Sequence, residues 1–452
     1  MDTSYDALVT GLRAQLAALP PGAPVRLGKK TSNLFRTRVD TGAPRLDVSG
    51  FSGVLSVDVA GRTADVLGMT TYEDLVDATL PHGLMPLVVP QLKTITLGGA
   101  VTGLGIESSS FRSGTPHESV VEMDVLTGDG RVVTCSRTQH PDLFFGFPNS
   151  YGTLGYALRL RIELEPVSPY VALRHVRVGG ADEAARLMTE VCDTRVHEGQ
   201  RVDFVDGTWF GPDEAYVTLA AFTDDAPTLS DYTGSRIYYR SVQDKRVDWL
   251  TVRDYLWRWD TDWFWCSKAF GAQNPSVRRW IPRRYLRSDT WWKLVAFERK
   301  HRWKTRWDLR HGLPAREEVI QDVEVPVDRL AAFIDVFARE VPLAPVWFCP
   351  LRQRDRDAVW ELYRLDPDVL YVNVGFWGTV PLAPGQSDTS HNRLVERLVG
   401  DLDGRKSLYS TAFYEPAEFW RLYNGPVYDV LKKTYDPDGR LLDLYAKCVG
   451  RQ

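Results

Sequence analysis

The densest concentration of groups able to hold a phosphate lies between Thr96 and Ser110. Thr96-Leu97-Gly98-Gly99-Ala100 is followed by Gly103, by Gly105-Ile106-Glu107 and by three consecutive hydroxyl residues, Ser108, Ser109 and Ser110. Glycines lack the Cβ that keeps an anion away from the main chain, so successive N–H groups in such a run can cradle a pyrophosphate. The same composition would also serve as a tight turn that packs strands closely. Two further loops favour the ligand. Gly28-Lys29-Lys30-Thr31-Ser32-Asn33 adds amide donors and two ammonium groups, and Gly152-Thr153-Leu154-Gly155 adds another close backbone approach. Three such loops in one N-terminal stretch point to a long ligand containing a diphosphate.

Other chemistries fail on spacing. Gly22 to Lys30 is not a phosphate loop of the nucleotide-hydrolase kind, because five residues separate its glycines and Lys30 stands where a magnesium-binding Ser or Thr is required. Gly50-Phe51-Ser52-Gly53 lacks the G-x-S-x-G spacing of a nucleophile elbow. The eight histidines include no H-E-x-x-H pair, and no metal site is expected. G-x-G-x-x-G is absent, so the glycine run is not a Rossmann fingerprint.

The elements that must position these loops are short strands and helices. Residues 2–20 form an amphipathic helix ending at Pro20-Pro21, with acidic residues where a secretory signal needs positive charge. Strands are expected at 46–48, 54–59, 64–67, 121–126, 132–135 and 157–164, with a hairpin at Thr127-Gly128-Asp129-Gly130. A helix over 72–79 is capped by Thr70 or Thr71. After Pro166 the character changes. Strands at 215–222, 318–325 and 370–376 alternate with helical stretches such as 329–339, and ten of the fifteen tryptophans fall between Trp249 and Trp307. An α+β chain in three parts follows: residues 1–166, a second domain over 167–420, and a return over 421–452.

Size and charge set further limits. At 452 residues the chain has room for two or three folding units. With 55 basic against 59 acidic residues it does not coat nucleic acid through overall charge, and no nucleic-acid partner is expected. Five scattered cysteines without a C-x-x-C pair fit a reducing compartment. No apolar run approaches the roughly 20 residues needed to cross a bilayer. Between Arg278 and Arg310, however, twelve Lys or Arg stand against three acids, with five Trp interleaved. Such a segment suits an interfacial helix on anionic lipid, or else a solvated helical face whose basic stems cover the core.

Taken together, T-L-G-G-A, G-x-G, the Asp129-Gly130 hairpin, Gly152-Thr153-Leu154-Gly155-Tyr156-Ala157 and the terminal Lys432, Asp436 and Pro437 resemble the flavin-binding fold of the vanillyl-alcohol oxidase and p-cresol methylhydroxylase family. Gly105 to Ser110, Asp142-Leu143-Phe144, Trp347-Phe348-Cys349-Pro350, Tyr371-Val372-Asn373-Val374-Gly375 and Glu418-Phe419-Trp420 resemble its delta-24 sterol reductase branch and bacterial methylene-fatty-acyl reductase relatives. The resemblance covers about residues 25–450. It implies a two-subdomain FAD-binding fold of the p-cresol methylhydroxylase type, with an α+β substrate cap.

It further implies an FAD whose diphosphate rests on Gly28 to Asn33 and on Leu97 to Gly105, with adenine near Gly155, Tyr156 and Ala157. Some members attach the flavin through a histidine in the first loop. Lys29 and Lys30 stand there instead, so a noncovalent cofactor is expected. His117 falls in a stretch that approaches the flavin in that family, or it is a histidine satisfied at a helix start.

The branch reduces alkenes that lack an activating carbonyl. Hydride cannot add first, because nothing would delocalise the carbanion. A positioned acid must protonate the alkene, and hydride from flavin N5 then quenches the tertiary cation. Glu107 and Tyr371 are the candidate acids, each with a plainer role open to it as loop carboxylate or core tyrosine. The expected donor is NADPH.

The Ala-, Arg-, Asp- and Val-rich composition resembles that of a high-GC bacterium. It favours a 10-methylene acyl chain, reduced to 10-methyl, over a sterol side chain. A lipid methyltransferase would act upstream, and the enzyme would sit in the cytoplasm or on the inner membrane face. An alcohol oxidase of the same fold is the alternative enzyme, and a peripheral lipid-binding protein the alternative outside catalysis.

Overall fold

The computed structural model describes residues 4–29, 35–36 and 42–449, so Lys30, Thr31, Ser32 and Asn33 lie outside the described residues. The N-terminal unit is built on a six-stranded antiparallel sheet. Its strands run in the order Val54–Asp58, Thr63–Leu67, Tyr156–Pro166, Val120–Leu126 and Val132–Ser136, and Leu84–Pro86 pairs with the far end of Tyr156–Pro166. The central strand alternates with period two. Leu158, Leu160, Ile162 and Leu164 are buried, while Arg159, Arg161 and Glu163 take the other face. There Arg159 draws in Asp65, Glu122 and Asp124 from both neighbouring strands at 2.5, 2.5 and 2.8 Å.

Local signals place the surrounding helices. Thr71 accepts a hydrogen bond from the Asp74 amide at 3.2 Å and starts the helix Tyr72–Thr79, as its residue type requires. The helix Tyr5–Ala17 buries Leu12 and Leu16, one turn apart, against Val25, Leu46 and Phe51. The glycine-dense run departs from a simple loop, because Leu97–Thr102 forms a short helix capped by Thr96. Gly98 is tolerated in it because the helix must lie against the backbone of Gly68. A Cβ on Gly98 would stand 2.7 Å from the Gly68 carbonyl oxygen.

Residues 170–406 form an eight-stranded antiparallel sheet. Its order is Val247–Thr251, Tyr170–Val178, Glu214–Thr223, Phe204–Gly211, Val346–Leu351, Tyr371–Pro381, Arg316–Pro326 and Arg405–Lys406. Period-two alternation sends its two faces to different partners. Phe348, Val372, Val374 and Phe376 pack beneath the helices Ala181–Thr194, Leu330–Glu340 and Ser390–Asp401. Trp347 and Trp377 point the other way, into the core shared with the N-terminal unit.

The tryptophan-rich segment divides in two. Trp257, Trp259, Trp263, Trp265 and Trp291 are buried, whereas Trp280, Trp303 and Trp307 are exposed, so its first half is core and not surface. Among the described residues no helix is long and apolar enough to cross a membrane.

Helices Pro416–Leu422, Gly425–Tyr435 and Leu444–Cys448 bring the chain back to the N-terminal unit. The Gly128 amide donates to the Tyr435 carbonyl at 2.8 Å, and the Val25 amide to that of Arg440 at 3.0 Å. Lys432 holds Asp436 at 2.7 Å while donating to the Thr153 and Leu441 carbonyls at 2.8 and 2.7 Å.

Candidate active site

A cavity of about 480 Å³ lies between the two units. The N-terminal unit contributes Arg26, Lys29 and the main chain from Thr94 to Ile106, joined by Tyr151, Gly152, Tyr156 and Ala157. The cap contributes Trp263, Phe264, Trp292, Trp347 and Trp377, with Asp322, Asn373, Ser407 and Tyr409 among them.

The first wall is short of acceptors. Among the described residues, no oxygen receives the N–H groups of Leu104, Gly105 and Ile106, although their neighbours Gly103 and Glu107 are paired. Ile106 is buried and Leu104 and Gly105 half-buried, so these three amides are available along the wall to a ligand that accepts hydrogen bonds. Lys29 Nζ lies 3.5 Å from Thr96 Oγ1, and Arg26 and Arg45 add positive charge nearby. Open amides flanked by cations suit the diphosphate and ring carbonyls of a dinucleotide. Among the described residues no histidine lines this cavity.

Of the residues expected to hold the cofactor, Lys29, Gly98, Gly99, Ala100, Gly103, Gly105, Ile106, Gly152, Tyr156 and Ala157 border the cavity. The other described ones lie behind it. The Gly28 amide is bound to the Leu46 carbonyl at 2.7 Å, Leu97 is a core side chain, and Ser109 Oγ donates to the Leu87 carbonyl at 2.8 Å. Ser108 Oγ donates to Glu107 Oε1. Gly155 has φ +152°, and a Cβ there would meet Val125 at 2.6 Å, so it serves the turn into the central strand. His117 stacks edge-on against Trp360, and burial drives its pKa down to about 3, leaving a neutral core histidine.

Neither expected acid reaches the cavity. Glu107 is 2% exposed and bound at 3.0 Å to Arg258, whose guanidinium also holds Asp206 at 2.8 Å and lies over the Tyr255 ring. The group thus ties the glycine run of one unit to the sheet of the other. Tyr371 stands on the strand face of Asn373 and Trp377 but at its far end, where its hydroxyl accepts from the Asp366 amide at 3.2 Å.

A carboxyl group that no motif flagged occupies the position instead. Asp322 pairs in register with Gly375, so both lie on the cavity face of the sheet. Gly375 must be glycine, because a Cβ would collide with the Asp322 carboxylate and approach Trp377 at 2.6 Å. Asn373 Nδ2 donates to Asp322 Oδ1 at 3.3 Å, Tyr409 hydrogen-bonds the same carboxyl group, and Trp377 Nε1 donates to the Tyr409 hydroxyl at 2.8 Å. Burial among these rings, only partly offset by Asn373 and Tyr409, raises the Asp322 pKa to about 7. Glu324, two residues on, is pushed up to about 8, by burial first and by Asp322 in smaller part. The sequence cue was the polar residues inside the strand expected at 318–325. Around Asp322 the rings close in, with centroids 4.4 Å apart for Phe264 and Trp377 and 5.3 Å for Phe264 and Trp347.

Comparison with known proteins agrees with this layout. Residues 17–136 match the FAD binding domain family. The Delta(24)-sterol reductase of Rattus norvegicus is 28% identical over 411 residues, which covers 87% of this chain and 75% of the relative. That of Arabidopsis thaliana is 24% identical, covering 89% and 76%. Cytokinin dehydrogenase 6 of Oryza sativa subsp. japonica is 40% identical over 134 residues, 29% of this chain and 25% of its own. A matched FAD binding domain, with a likeness to the Delta(24)-sterol reductases that extends into both sheets, makes this chain an FAD-dependent oxidoreductase similar to those reductases.

Proposed function

We propose that the protein reduces an isolated carbon–carbon double bond of a lipid, with Asp322 as the acid that protonates it. The observation that carries this reading is the cavity itself, where an amide-lined wall faces an aromatic wall holding a carboxyl group whose pKa burial raises to about 7. Asn373 donates to Oδ1 and Tyr409 also hydrogen-bonds the carboxyl group, which holds it in place within the aromatic wall. Protonation at the less substituted alkene carbon puts positive charge on the tertiary carbon. The faces of Trp263, Phe264, Trp347 and Trp377 attract such a cation by about 0.5–2 kcal/mol each, and the carboxylate left on Asp322 adds to that attraction. When bound, FAD in its reduced form supplies the hydride, replenished from NADPH. The product gains one proton and one hydride, and solvent restores the proton to Asp322.

Two substrates yield the required tertiary cation. A 10-methylene acyl chain, delivered by a methyltransferase that builds the branch and reduced to 10-methyl, agrees with the high-GC composition. A sterol side chain is favoured by the activity for which the relatives are named. NADPH under argon should bleach the flavin, and incubation with each lipid should give a mass gain of two hydrogens in one of them. In deuterated water the methylene substrate should carry solvent deuterium on its new methyl carbon. Deuterium on the branching carbon instead would reverse the order of addition and refute Asp322 as the donor. Rapid reoxidation in air with peroxide release and no lipid product would assign an alcohol oxidase.

A further inference from the structure

The helix Ser288–His301 has two faces with different fates. Its inner seam is fixed. Trp291 Nε1 donates to the Thr261 carbonyl at 2.8 Å, Val295 packs on the cluster of Phe35 and Trp263, and Trp292 lines the cavity. Its outer seam, Leu294 and Phe297, is 40% and 47% exposed. The chain then turns at Arg302, φ +51°, into Trp303–Arg310, where Trp303 and Trp307 are 64% and 57% exposed. Phe297 touches both His301 and Trp303, with ring centroids 4.5 and 5.5 Å apart, so the apolar groups form one patch across the turn.

The charges around the patch fall into two sets. Arg287, Lys293 and Arg299 are engaged by Glu73, Asp289 and Glu318. Among the described residues, Lys300, Arg302, Arg306 and Arg310 meet no carboxylate. Exposed indole rings beside unpaired cations match the boundary of an anionic bilayer, where the rings enter the headgroup region and the cations meet lipid phosphates.

We infer that Leu294, Phe297, Trp303 and Trp307, with Lys300, Arg302, Arg306 and Arg310, form a docking face for an anionic phospholipid surface. The same helix carries Trp292 into the cavity wall, so docking brings the cavity to the membrane. This assignment rests on the reading that the substrate is a lipid, and it names the phase from which that lipid is taken.

The test uses the FAD-loaded protein and vesicles free of substrate. Sedimentation should show binding to vesicles of phosphatidylcholine doped with phosphatidylglycerol and about tenfold weaker binding to phosphatidylcholine alone. Arg302→Glu with Arg306→Glu should abolish that preference. Trp303→Ser with Trp307→Ser should weaken binding to both compositions, while flavin absorbance and turnover of detergent-dispersed substrate stay unchanged. Brominated lipid should quench the tryptophan emission of the unaltered protein, which decides the matter if a variant does not fold.

Binding of single-stranded oligonucleotide in preference to vesicles would overturn the assignment. So would vesicle binding that both double variants retain. Turnover of dispersed lipid without vesicle binding would sink the docking face alone, whereas vesicle binding without turnover of any lipid alkene would sink the proposed reaction alone.

Discussion

Asp322 is the residue on which the chemistry turns. Asp322→Asn keeps the shape and the contact with Asn373 but has no acid proton to give. Turnover of a lipid alkene should fall by about two to four orders of magnitude, the usual worth of a general acid, while FAD binding and bleaching by NADPH persist. The donor form is the protonated one, and burial holds it to about 7. The rate of the reductive step, measured in single turnovers, should therefore be level on the acid side and decline as pH rises through about 7. The variant's residual rate should not follow that decline.

Gly375→Ala makes a related prediction from sterics alone. The new methyl group must displace either Asp322 or Trp377, so activity should drop at least about tenfold with the melting temperature only modestly lowered. The glycine loops could be read from composition, because residues without Cβ atoms bring the main chain close to whatever it faces, whether a ligand or, as at Gly98, another stretch of backbone. Asp322 could not, because it is one of four acids in its strand, and which of them faces solvent and which a cavity is unknown until the pairing register is known.

At the level of elements, the helix Gly425–Tyr435 acts as a clasp on the cofactor-binding unit. Lys432 is largely buried, and burial lowers its pKa even though Asp436 opposes the shift. Lys432→Met removes the cation while Asp436 stays fully buried, and three carbonyls lose their donor. The loss should be about 3 kcal/mol, read as a lower urea midpoint. A wild-type midpoint in this variant would mean that the clasp is incidental. The strands and the helix Tyr72–Thr79 were legible because period-two alternation and a Thr cap are local. The helix Leu97–Thr102 was not, since packing against Gly68 overrides the poor helical propensity of its two glycines.

For the molecule as a whole, the seam between the units is pinned by Arg258 between Glu107 and Asp206. Arg258→Met leaves two buried carboxyl groups unpaired and should cost about 3–5 kcal/mol. Burial already raises the Glu107 pKa, and losing Arg258 raises it further. A carboxyl group whose folded value lies above its unfolded value takes up a proton on folding, so stability declines as pH climbs between the two. The deficit of the variant should thus be larger at about pH 8 than at about pH 5 in denaturant titrations. An equal deficit at both would place the loss in packing. The order of the eight-stranded sheet was hidden from sequence because it joins distant partners, such as Phe204–Gly211 with Val346–Leu351. The division of the tryptophans into core and surface follows from that same long-range order.

The return of residues 425–448 to the first unit also bears on synthesis. Thr153 in one glycine loop, Gly128 in the hairpin turn and Val25 ahead of the first loop emerge early from the ribosome and wait for Lys432, Tyr435 and Arg440, by which time the intervening sheet has been translated. A product cut short at residue 424 should stay colourless when supplied with flavin, even though every residue of its glycine loops is present.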